Sequence, residues 1–186
     1  MTNRLGILVW ILLSFVLQTT IFPDLFRALA EFTGFHFLAG CTVDLALITL
    51  FYLSFHRDFV GALIWAAVTS VIASSFGLWW KGAATTAYFT VVTIGSFSKN
   101  QFMSEGVPML MSMAGIFSFI EGMTHLGAGY VLSRIPGYIL WSQIGIVLEQ
   151  AFINAICAPL ICYLLFLFDD WTGHRLEGRQ KTLLIE

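Results

Sequence analysis

Charge is scarce in this chain. Lysine, arginine, aspartate and glutamate together make up 11% of its 186 residues, against about 25% in an ordinary soluble domain. With 58% of residues hydrophobic, there is too little polar material to cover a water-soluble surface. The basic and acidic residues are scattered and nearly balanced, with a formal net charge of -2, which excludes the clustered basic face of a nucleic-acid-binding protein. Cysteine is also sparse: Cys41, Cys157 and Cys162 lie in apolar runs and form no CxxC, so they read as small buried hydrophobes and not as a metal or disulfide set. No HExxH, phosphate-binding glycine loop or GxSxG elbow occurs, and the string His56-Arg57-Asp58 lacks the glycine loop and magnesium partner that a kinase would add. No cofactor is implied.

What is present is apolar length. A bilayer core of roughly 30 Å takes about 20 apolar residues per helical crossing, and six such stretches fit: 5–22, 37–55, 59–78, 83–102, 107–131 and 139–168. Lipid offers no partners to exposed amides, so each stretch is expected to be a helix. The fold class expected is an all-α polytopic membrane bundle, one domain over 1–170, with a short cytoplasmic tail at 171–186. The basic Met1–Arg4 followed by Leu5–Leu17 resembles a signal peptide, but no small-x-small cleavage site follows, and it reads as a retained first span. Residues 23–36, with Leu25, Phe26, Leu29 and Phe32 apolar, suggest a short helix along the membrane surface. Thr85, Thr86, Thr90, Thr93 and Ser96 make the fourth span polar, which suggests that it faces other helices or a cavity. Pro159 divides the long sixth span, where a kink or tilt is expected. Trp79, Trp80, Trp141 and Trp171 fall near span ends, as interfacial rings do.

Six spans leave both termini on one side. That side collects Arg4, Arg57, Lys99, Arg175, Arg179 and Lys181, and the other Arg27, Lys81 and Arg134, so the positive-inside rule puts both termini in the cytoplasm.

Ionisable groups within spans are costly and mark functional or structural sites. Asp44, Glu121, His125 and Glu149 are the candidates, and with this topology they share the outer half of the bundle. Glu121 and His125 are four residues apart on one helix face, suited to a hydrogen bond or to two metal ligands. Gln143, Gln150 and Asn154 form a polar stripe on the sixth span, suited to interhelical hydrogen bonds. Ala114, Ser118 and Gly122 on the fifth span, and Ala151 and Ala155 on the sixth, recur every fourth position and permit close helix approach, either within the bundle or to a partner's helix. Asp44 is the sole aspartate clearly inside a span, which excludes a paired-aspartate intramembrane protease.

The order of these features resembles a known family. Leu17-Gln18-Thr19 closes the first span, Asp44-Leu45 opens the second with an apolar run to Tyr52, Arg57 and Gly61 mark the next turn, and Asn154-Ala155 precede Pro159 in the last. Over about 5–170 the chain resembles MreD, the rod shape-determining membrane protein of bacteria, although Val43 stands where that family usually has proline. The resemblance implies a non-enzymatic component of the elongation machinery in the bacterial inner (plasma) membrane. Its implied partners are MreC, MreB, RodA and a penicillin-binding transpeptidase. It also implies a six-helix arrangement like that of the substrate-binding components of energy-coupling factor transporters. A small-solute- or lipid-binding protein with a polar pocket in the outer half of the bundle is therefore the alternative expectation.

Overall fold

A computed structural model describes residues 2–35, 42–76, 82–102, 106–133 and 137–171. The described residues are almost all helical and include no strand. Helix α1 (Thr2–Val16) passes through a π-helical turn (Leu17–Ile21) directly into α2 (Phe22–Thr33), which Gly34 ends in the left-handed conformation at φ 75. The expected break between a first span and a separate surface helix is thus absent. Pro23 sits in the first turn of α2, where its missing N–H interrupts nothing that a π-turn has not already rearranged.

The remaining elements are α3 (Leu45–His56), α4 (Phe59–Ser75), α5 (Ala83–Phe102), α6 (Gly106–Ser133) and α7 (Gly137–Trp171). Among the described residues, three helical stretches are long and apolar enough to cross a membrane: Arg4–Thr33, Gly106–Val131 and Gln143–Trp171. The second expected span is shorter than the apolar run suggested. Its helix begins at Leu45; Thr42–Asp44 are not helical, and 36–41 lie outside the described residues. Twelve residues span about 18 Å at 1.5 Å per residue, well short of a bilayer core. This short helix is nonetheless the central one, buried from Leu45 to Phe55 along its whole length, as expected of a helix that is apolar all round.

Side-chain contacts fix the direction of each helix. Trp10 donates to Thr49 Oγ1 at 2.9 Å and packs on Phe168, Phe59 meets Phe97, Phe51 meets Phe117, and Asn154 bonds Ser118. Successive helices from α3 to α7 therefore run antiparallel. The start of α1 and the ends of α3, α5 and α7 share one end of the bundle with the start of α6. We call it the Arg57 end and the opposite one the Asp44 end.

The threonines of α5 do not line a shared interior. Its buried face is Ala83, Ala84, Ala87, Tyr88, Val91 and Val92, whereas Thr85 and Thr86 are exposed and Thr90 and Thr93 half-buried. Thr86 and Thr90 hydroxyls donate back to the Ala83 and Thr86 carbonyls. The helix as a whole packs against α3, α4 and α6, as its polarity suggested, while the Thr86 and Thr90 hydroxyls, satisfied by their own helix, lie off its buried face. Pro159 lies inside α7, and the helix continues through it.

Candidate functional site

The site forms where α3 begins. A helix start leaves backbone N–H groups without partners, and in a buried apolar surrounding no water is available to take them. Asp44 takes the N-cap position: its Oδ1 accepts from the Leu47 N–H at 2.8 Å, and its own N–H donates to Asn154 Oδ1 at 2.9 Å. A carboxylate at this position also meets the positive end of the helix dipole. One turn earlier on α7, Gln150 Oε1 accepts from the Thr42 N–H and hydroxyl, and its amide nitrogen donates to the Thr42 carbonyl. Asn154 completes the link by donating to Ser118 Oγ on α6 at 2.8 Å. The Gln150–Asn154 stripe thus supplies, from one helix, the hydrogen bonds that let another begin in an apolar surrounding.

Beside this cap lies the Glu121–His125 pair of α6, with Oε1 and Nε2 3.0 Å apart and both side chains buried. The Glu121 carboxyl is near enough to Asp44 for their charges to interact, and the Gln18 side chain reaches the Asp44 carboxyl from the π-turn. The Tyr88 hydroxyl of α5, fully buried, lies within the field of both carboxyl groups. Gln18 Oε1 and the Tyr88 hydroxyl have no hydrogen-bond partner. Three of the four ionisable residues expected together are therefore gathered here. The fourth, Glu149, is exposed on α7, because its neighbour Gln150 is the residue turned inward to Thr42.

A second polar layer closes the Arg57 end. Arg57 Nη2 and Asp169 Oδ1 are 2.8 Å apart with side-chain exposures of 12% and 3%. Tyr52 donates to the other Asp169 oxygen at 3.0 Å, and Lys99 Nζ donates to the Arg57 carbonyl. Asp169 is a second buried aspartate. It is 15 residues beyond Asn154, about 22 Å along the helix, so it forms no pair with Asp44.

The small-residue positions mostly serve internal packing. Ala114 and Ser118 are buried, and a Cβ at Gly122 would come within 2.6 Å of the Val147 side chain. Gly115, which the every-fourth pattern passed over, faces Ala155 and the Ala151 carbonyl, where a Cβ would sit 3.2 Å from that of Ala155. Above this contact the outer surface of α6 and α7 forms an open apolar groove lined by Gly115, Ala151 and Ala155, with Ile116, Leu148 and Phe152 among its walls. Cys157 and Cys162 are free thiols, half-buried and buried, and Cys41 lies outside the described residues.

Among the described residues no group of three or more His, Cys, Asp or Glu side chains is arranged to hold a metal ion. No family model matches the chain, and no curated protein or solved structure is significantly similar to it.

Proposed function

We propose that this chain is a six-span bundle of the bacterial inner membrane, with both termini cytoplasmic, that acts as a non-enzymatic scaffold. In this reading it receives a transmembrane helix of a partner and helps position peptidoglycan synthesis. The partners implied by its resemblance to MreD are MreC, MreB, RodA and a penicillin-binding transpeptidase. The observation that carries the reading is the groove on α6 and α7. Its floor of Gly115, Ala151 and Ala155 suits close approach of another helix, and the exposed Ile116, Leu148 and Phe152 supply apolar contact. The alternating direction of α3 to α7 supports six crossings, with short α3 enclosed by its neighbours, its first turn capped by the Asp44 side chain and the residues just before it held by Gln150 and Asn154 of α7.

The test is co-purification in mild detergent with a candidate partner that has a single transmembrane helix. Recovery of MreC with the wild type, and its loss on Ala155→Leu or Phe152→Ala with the unfolding midpoint unchanged, is the expected result. A partner that never accompanies the wild type sinks the reading. The second reading, a solute- or lipid-binding protein, is favoured by the meeting of Asp44, Glu121 and His125. Native mass spectrometry of the purified protein tests it, and a retained small molecule would favour it over the scaffold.

A further inference from the structure

The Asp44 layer has an unequal charge count. Asp44 enters from α3, Glu121 and His125 from α6 and Tyr88 from α5, whereas α7 and the π-turn contribute the neutral amides of Asn154, Gln150 and Gln18. Among the described lysines and arginines, Arg57 and Lys99 are engaged at the other end, Arg27 pairs with Asp24 at the surface, and Arg4 is exposed. Two carboxyl groups thus face one imidazole. Among the described residues, even with His125 charged, the set is one positive charge short, and an uncompensated charge in an apolar interior is strongly disfavoured.

Two neutral oxygens belong to the same layer. Gln18 Oε1 is buried without a donor, and the Tyr88 hydroxyl, with zero exposure, has no partner. Gln18 reaches this depth because the π-turn adds a residue to the helix and turns its side chain inward, a distortion that recurs at functional sites. The available atoms are oxygens of a carboxylate, an amide and a phenol, which suit a hard monovalent cation or a proton and offer nothing to a soft metal.

We propose that the Asp44–Glu121 layer binds one unit of positive charge, supplied by a sodium ion or a proton, between the two carboxyl groups with Gln18 Oε1 and the Tyr88 hydroxyl as neutral oxygen partners. Binding there offsets one of the two carboxylate charges and tightens the junction of α1, α3, α5 and α6. Since α3 starts at this point, occupancy sets how firmly the central helix is held.

The experiment is thermal unfolding of the purified full chain in nanodiscs, with choline, potassium or sodium chloride at equal ionic strength, each at pH 8 and pH 6. The sodium arm expects the midpoint at pH 8 to rise by a few degrees in sodium over both other salts. The proton arm expects a similar rise in choline on going from pH 8 to pH 6, with no preference for sodium. Glu121→Gln and Asp44→Asn each remove one carboxylate, so either variant is expected to abolish the response and to unfold at pH 8 in choline no lower than the wild type. His125→Gln keeps the response, which separates the carboxyl pair from titration of the imidazole, and Glu149→Gln keeps it in full. A wild type indifferent to both sodium and pH overturns the proposal, as does a response that survives in Glu121→Gln or disappears in His125→Gln alone.

Discussion

The two ends of the bundle solve the same problem with opposite charge arithmetic. At the Arg57 end, a guanidinium and a carboxylate from helices distant in sequence meet at 2.8 Å, and Tyr52 takes the second oxygen of Asp169. That end is matched by its own residues. At the Asp44 end, two carboxyl groups share a layer with one imidazole, and neutral amides do most of the joining. The difference teaches that a buried polar layer need not be a closed set: one end is a clasp between α3 and α7, and the other holds the start of α3 with more carboxyl groups than cations among the described residues.

The comparison breaks most readily at the clasp. Asp169→Asn leaves the Arg57 guanidinium buried without its counter-ion, and we expect a loss of about 3–5 kcal/mol in unfolding free energy, measured by denaturant titration in bicelles. The double replacement Arg57→Met with Asp169→Leu should recover most of that loss, because removing both charges also removes their desolvation cost. At the other end, Asn154→Ala strips the acceptor for the Asp44 N–H and the donor to Ser118. The same titration should register a loss of about 2–3 kcal/mol for two buried hydrogen bonds. Gly122→Leu forces a side chain onto Val147 and should cost about 1–3 kcal/mol by overpacking. Glu149→Gln, on the exposed face of α7, should leave the unfolding curve unchanged; a clear shift would return Glu149 to the polar layer.

Much of this was legible in the sequence, and the gaps have physical causes. Apolar length located the bodies of α1 and of α3 to α7, and spacing by four brought Glu121 to His125 and joined Gln150 to Asn154 on one face, because these are properties of a single helix. The start of α3 at Leu45 was obscured by the apolar run that precedes it in the sequence, in which Thr42–Asp44 are not helical. Asp44 itself was the missed signal, an N-cap residue directly before Leu45. The clasp had no local signature, since Arg57 and Asp169 are 112 positions apart. Gln18 looked like the end of a span, and only the π-turn explains why it is inside. The polarity of α5 was legible at the level of the helix, which packs on α3, α4 and α6, but not residue by residue, since the Thr86 and Thr90 hydroxyls bond back to their own helix.

The account as a whole rests on the Arg57 and Asp44 ends facing opposite sides of one membrane. The most direct test is labelling of single cysteines, in a cysteine-free background, by a membrane-impermeant maleimide in intact cells with and without permeabilisation of the inner membrane. Asp58→Cys, Gly106→Cys and Asp170→Cys should react only after permeabilisation, and Gly82→Cys and Tyr130→Cys without it. Labelling of Gly82→Cys from the same side as Asp58→Cys would contradict the six-crossing bundle.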